Sequence, residues 1–243
     1  LAYLPMRVDK ELIDILKDVK QRGSMIGIKQ FIIQTHFQTP LEVTPEALDS
    51  IRKILSAGWL ITNQLVYNVA ASRRGHTARL REVLNKAGVL CYYTFSVKGF
   101  NENYAVFAPI SRSIQEQTEE KIWGELNDCQ KTELDELLKE NNEKGNLIAT
   151  FLKKYNLPFL STDRNVLNLP AIGKSMTFQT VGITAEGKRI MLFDHDGSRK
   201  HSPIINQMGN VFIVENKSLA AYLRQLDTMG ENIEEYATLW YYT

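Results

Sequence analysis

The sequence predicts an α/β fold, and three features predict it. Over residues 1–109 short strands alternate with amphipathic helices, residues 110–157 turn to a Glu/Lys/Gln/Asn-rich helical composition, and residues 158–243 carry a hairpin pattern and one more amphipathic helix. An αβαβαβ order implies a parallel sheet with right-handed crossovers. Three strands are too few to close a barrel of eight or to cover a large open sheet, so the first segment reads as part of a larger architecture.

Strands are expected at 31–37, 59–65 and 89–95, each rich in β-branched and aromatic side chains. A helix from 10 to about 22, with Leu12, Ile13, Leu16 and Val19 on one stripe, precedes the first strand. The next helix has the clearest ends: Thr44 as N-cap, Pro45 at the first helical position, Leu48, Ile51, Ile54 and Leu55 on its stripe, and Gly58 just beyond. A third runs from about Thr77 through Leu80, Val83 and Leu84 to Gly88. Between 110 and 155, Ile114, Ile122, Leu126, Leu134, Leu137 and Leu138 recur near helical spacing, which predicts a pair of surface helices. Segments 176–183 and 189–193 flank the turn Ala185-Glu186-Gly187-Lys188 as a β-hairpin, and Leu219, Tyr222, Leu223 and Leu226 mark a last helix over 218–229.

With 29 basic and 28 acidic side chains the net charge is +1, so no global field recruits nucleic acid or an anionic membrane, and neither is an expected partner. No apolar run approaches the roughly 18–20 residues of a membrane span, and the first residues lack the order of a signal peptide, which makes the cytoplasm the expected compartment. Cys91 falls in a predicted strand and Cys129 in a charged helix. They read as reduced thiols, and two thiolates cannot hold a four-iron cluster alone.

In parallel α/β proteins ligands gather at the carboxyl ends of the strands. Thr35-His36, Asn63-Gln64 and the stretch from Tyr92-Tyr93 to Lys98 stand there. They suit a shared pocket, but a histidine at a strand end or an Asn-Gln pair equally suits local hydrogen bonding of loop backbone. A second feature is Asn168-Leu169-Pro170-Ala171-Ile172-Gly173-Lys174-Ser175. Gly-Lys-Ser closes the phosphate-loop pattern GxxxxGK[ST], yet Asn168 stands at the opening glycine and the residues after Ser175 have strand composition, where a phosphate loop needs a helix. The other readings are a lysine on a small-residue loop, able to form a Schiff base when desolvated, and a plain surface lysine.

Several segments resemble the lysine 2,3-aminomutase family of radical S-adenosylmethionine (SAM) enzymes. Thr35-His36-Phe37-Gln38-Thr39-Pro40-Leu41-Glu42-Val43-Thr44-Pro45-Glu46 is similar to the family's strand-to-helix signature THFNHPxExTPE. Ile61-Thr62-Asn63-Gln64-Leu65-Val66 resembles its N-Q-S/T-V strand, Gly88-Val89-Leu90-Cys91-Tyr92-Tyr93 its G-V-x-P-Y-Y strand, and Leu4-Pro5-x-Arg7 its preceding arginine segment. Pro170-Ala171-Ile172-Gly173-Lys174-Ser175 falls where these enzymes carry P-G-G-G-G-K-T, whose lysine holds pyridoxal phosphate. The likeness is dense over 1–108 and thinner over 158–205.

What the resemblance implies is the C-terminal half of a radical SAM β/α barrel over 1–109, a helical insertion over 110–157, and a C-terminal α+β segment with the cofactor lysine over 158–243. It implies an isomerase that moves an amino group between adjacent carbons of an amino acid, using pyridoxal phosphate, SAM and a 4Fe-4S cluster. Lys174 would carry the pyridoxal phosphate, Gly173, His36, Gln64 and Tyr93 would line the cavity, and Lys98 and Asn168 would face the substrate. The family's CxxxCxxC motif is absent, so this polypeptide alone is expected to be inactive and to need the missing N-terminal half of the barrel as partner. Lys98 and Asn168 stand where the lysine-specific enzymes place aspartates; a lysine substrate would lose two charge-assisted contacts of roughly 1.5–3 kcal/mol each, so a different amino acid is expected. Ala171 and Ile172 replace loop glycines, and the loop is one residue shorter. The alternatives are a non-catalytic binding module derived from the family, and a nucleotide-binding protein built on Gly173-Lys174-Ser175, which requires a helix straight after Ser175. An open sheet edge would favour a homodimer.

Overall fold

Parallel and antiparallel strand pairing are both present in the computed structural model, which describes residues 4–97, 104–140, 147–161, 164–169, 172–195, 203, 207 and 209–241. The chain divides into two compact units that interleave in sequence: Leu1–Leu65, His76–Tyr93 and Glu119–Asp163 in one, Val66–Gly75, Thr94–Thr118 and Arg164–Thr243 in the other. These units do not coincide with the three consecutive segments the sequence suggested.

The first unit begins with α1 (Leu4–Arg7) and α2 (Lys10–Met25), then alternates β1 (Ile32–Thr35), α3 (Pro45–Ser56), β2 (Leu60–Val66), α4 (His76–Lys86) and β3 (Val89–Val97), which runs on into the second unit. β1 and β2 pair in parallel from Ile32↔Leu60 to Thr35↔Asn63, and β3 follows β2 in the strand order. The ends of α3 are those the sequence dictates. Thr44 accepts the Ala47 amide, Pro45 opens the helix, and Gly58 at φ +83° lets the chain turn into β2. Ile51, Ile54 and Leu55 on its stripe are buried, and the Trp59 indole donates to the Leu16 carbonyl at 2.9 Å, tying β2 to α2.

Three helices, α5 (Ile110–Gly124), α6 (Asp128–Glu140) and α7 (Leu147–Tyr155), replace the expected surface pair. Within the first unit α6 and α7 form a core of Leu126, Leu134, Leu147, Ile148, Phe151, Leu152 and Leu160, against which Leu90 of β3 packs. The end of α5 is buried on one side as well. Glu120 is buried and accepts from the equally buried Arg81 of α4 at 2.7 Å, while Arg81 also reaches the Leu160 carbonyl at 3.2 Å. A periodicity argument reads such polar side chains as solvated, because their partners come from elements far away in sequence.

In the second unit β4 (Arg164–Leu169), β5 (Ile172–Ile183), β6 (Arg189–His195) and β7 (Val211–Val214) pair antiparallel in that order. The hairpin turn falls where the sequence put it. Gly187, at φ +76°, takes the left-handed conformation and donates to the Thr184 carbonyl, while the Thr184 amide donates to the Lys188 carbonyl. Ile110 and Ile114 of α5 pack with Met191, Phe193 and Ile213 beneath the strands. α8 (Leu219–Thr228), capped by Ser218, and a 3-10 segment (Ile233–Trp240) complete the unit. Strand β5 starts four residues earlier than expected, because β4, a strand the pattern did not flag, pairs with its beginning from Leu169↔Ile172 to Val166↔Ser175.

Candidate functional site

The segment 35–46 builds its own rigid loop at the carboxyl end of β1. The Thr35 hydroxyl lies 3.0 Å from both the Thr62 carbonyl and Asn63 Oδ1. The buried Asn63 side chain accepts from the Phe37 amide at 2.7 Å and donates to the Phe37 carbonyl at 3.0 Å, pairing both backbone groups of that residue. Glu42 accepts the Gln38 amide, His76 Nε2 lies 3.3 Å from the Gln38 carbonyl, and Thr39 and Thr44 cap the 3-10 turn (Pro40–Glu42) and α3. Nearly every polar position of the segment thus shapes the backbone, and the structural reading of Asn63 is the correct one.

Alternation along the strands divides the rest. Ile33, Thr35 and Phe37, with Ile61, Asn63 and Leu65, point to the buried face. Ile32 and Gln34 alternate onto the other face, as do Thr62, Gln64 and Val66 of β2, with Gln34 paired to Thr62. That face is open on β1: Ile32 is 49% exposed, and His36 is exposed as well. His36 and Gln64 directly follow the last paired residues, Thr35 and Asn63, of neighbouring parallel strands, and the half-buried Tyr93 lies on β3, the next strand in order. Lys98 lies outside the described residues.

The remaining predicted residues belong to the second unit. Asn168 pairs with Gly173 and Leu167 with Lys174 across the β4–β5 hairpin, so Lys174 sits in a strand rather than on a loop, and the connecting Pro170-Ala171 lies outside the described residues. Because β5 continues to Ile183, no helix follows Ser175, and the phosphate-loop reading loses the element it requires.

Sequence reasoning missed the buried polar residues of this unit. Arg112, fully buried on α5, donates to Glu116 at 2.5 Å and to the Ser72 carbonyl at 2.9 Å, and stacks 4.9 Å above the Tyr236 ring. Tyr222 completes the cluster by donating to Ser72 Oγ at 2.9 Å. Burial and the adjoining Glu231 push the Tyr236 hydroxyl up to about 12, so it stays a donor, and it gives its proton to Glu231 at 2.7 Å. Lys217, 1% exposed, donates to Gln225 at 2.6 Å and lies 5.5 Å from the Tyr104 ring; burial pushes its ammonium down to about 8. The pattern gave no signal for Lys217, which stands in the polar run Glu215-Asn216-Lys217-Ser218.

Cys91 is buried in β3 and Cys129 exposed on α6, on separate elements and not joined by a disulfide. Among the described residues no three His, Cys, Asp or Glu side chains group as metal ligands, and no helix is long and apolar enough to cross a membrane.

No protein-family model matches the chain. It is similar to an uncharacterised KamA family protein of Methanocaldococcus jannaschii, with 29% identity over 247 aligned residues that take in all of this chain and 32% of that protein. The chain thus spans about a third of the length of the curated relative it matches.

Proposed function

We propose that the chain belongs to the KamA family of lysine 2,3-aminomutase-like radical SAM proteins and supplies such an enzyme with its pyridoxal phosphate lysine and part of its cavity wall. The observation that carries this reading is the similarity of the whole chain to a KamA family protein. It is supported by the parallel β1–β2 pair, on which the segment resembling THFNHPxExTPE forms a braced strand-to-helix loop and His36 and Gln64 directly follow the last paired residues.

The cysteines do not fit a cluster: one is buried in a strand, the other exposed on a helix, and a 4Fe-4S centre needs three or four thiolates converging. Cluster and SAM would be held by residues other than these. Pyridoxal phosphate would be held by Lys174, beside Gly173 at the start of β5, and would supply the carrier for the migrating amino group. His36, Gln64 and Tyr93 would shape the cavity and donate or accept hydrogen bonds along the substrate. Lys98 and Asn168 would offer a cation and a neutral amide to the substrate's distal end, which suits an anionic or neutral side chain and leaves a lysine ammonium without a counter-charge.

The test is turnover by the whole protein, loaded anaerobically with iron, sulfide, SAM and pyridoxal phosphate and offered a panel of amino acids. The expected result is a β-amino isomer, with an anionic or neutral amino acid preferred over L-lysine. The replacements at 98, 168 and 171–172 favour a second reading, a non-catalytic module of the same family. Absence of isomer from every amino acid with both cofactors loaded would move the conclusion there.

A further inference from the structure

In the second unit α5, β5, β6 and the C-terminal 3-10 segment surround a cavity of about 300 Å³, whose lining includes Ser111, Gln115, Phe178, Thr180, Arg189 and Thr238. That volume lies at the small end of the range for small-molecule sites. Arg189 is the charged member. It is 3% exposed; Nη2 donates to the Tyr241 carbonyl at 2.8 Å, and the equally buried Nε and Nη1 have no acceptor. A guanidinium keeps its charge at any relevant pH, and a buried one is normally paired with an anion.

The carboxylate that acts on it, Glu215, does not meet this need. Its Oε1 accepts from the amide and hydroxyl of Ser111 at 2.9 and 3.3 Å, at the start of α5, and its Oε2 has no partner. No ion pair joins it to Arg189. Burial also raises the Glu215 carboxyl to about 7, so near neutral pH it is in part uncharged. Around the arginine stand hydroxyls suited to an anion: Thr180 on β5, and Thr238, whose oxygen accepts from Gln115 Nε2 at 2.9 Å and so keeps its proton to give away.

We propose that this cavity is an oxyanion site, in which Arg189 receives the carboxylate or phosphate of a small molecule and Thr180 and Thr238 complete its hydrogen bonds. Phe178, 38% exposed, offers an apolar wall for the rest of the ligand. The inference does not depend on the aminomutase reading, since it uses neither Lys174 nor the β1–β2 face.

Calorimetric titration of the whole protein with inorganic phosphate, and separately with acetate, tests it. Saturable binding of at least one anion is expected, and the preferred anion identifies the head group. Arg189→Lys keeps the charge but loses the fork and is expected to weaken binding roughly tenfold. Because Arg189 is buried, Thr180→Val and Thr238→Val provide a second arm: each keeps side-chain volume, and together they are expected to weaken binding roughly tenfold at an unchanged melting temperature. Absence of saturable binding by both anions overturns the proposal. So does binding that Arg189→Lys and the paired valine variants leave intact, since that anion would sit elsewhere.

Discussion

Replacing Asn63 by alanine should loosen the loop that ends β1. The side chain pairs both the amide and the carbonyl of the buried Phe37, at 2.7 and 3.0 Å, and lies 3.0 Å from the Thr35 hydroxyl. Thr35 keeps the Thr62 carbonyl as an alternative acceptor, so the loss falls mainly on the two backbone groups of Phe37. Each buried group left without a partner costs roughly 1–3 kcal/mol, so the two together cost about 2–6 kcal/mol before relaxation. Native-state hydrogen exchange reads this at one amide: that of Phe37 should lose protection by about that amount, and urea unfolding should show a matching loss of stability. Asn63→Asp should do little better, since it keeps the acceptor for the amide but loses the donor to the carbonyl and buries a charge. A loss below about 1 kcal/mol, or unchanged protection of Phe37, would refute the view that Asn63 is structural.

Two further perturbations address buried charge. Arg81→Met removes the cation paired with the buried Glu120 and a donor to the Leu160 carbonyl and should cost about 3–5 kcal/mol, whereas Arg81→Met with Glu120→Leu should recover most of it; a double-mutant cycle by urea unfolding measures both, and equal losses would contradict the pairing. Lys217 titrates at about 8 in the folded chain and at about 10.5 when exposed. Below 8 both states are protonated and burial penalises the native one. Between 8 and 10.5 the unfolded chain holds a proton that the native one has released, so stability rises with pH by about 3 kcal/mol at most. Lys217→Met should abolish that rise, and equal slopes for the two proteins in alkaline urea titrations would count against the burial of the amine.

The elements legible in the sequence are those fixed by local chemistry. Thr44, Pro45 and Gly58 delimit α3, and Gly187 sets the hairpin turn, because caps and left-handed positions act over a few residues. His36 and Gln64 directly follow the last paired residues of β1 and β2, Thr35 and Asn63. The illegible parts depend on long-range partners. Helix α5 resembles a solvated helix until Arg112 and Glu120 are seen paired with Ser72 and Arg81, and the early start of β5 follows from β4 beside it. The same cause hid Arg189 and Lys217: nothing in their neighbourhood in sequence distinguishes a buried cation from the chain's other basic residues.

The most direct measurement is covalent trapping of the cofactor lysine in the whole protein. Incubation with pyridoxal phosphate, reduction with borohydride and peptide mapping should place the pyridoxyl group on Lys174, with labelling lost in Lys174→Ala. Lys217 is the internal control, because a buried amine of lowered pKa is also chemically competent for a Schiff base. Label on Lys217 or another lysine, or equal label after Lys174→Ala, would contradict the assignment of Lys174 as the cofactor lysine.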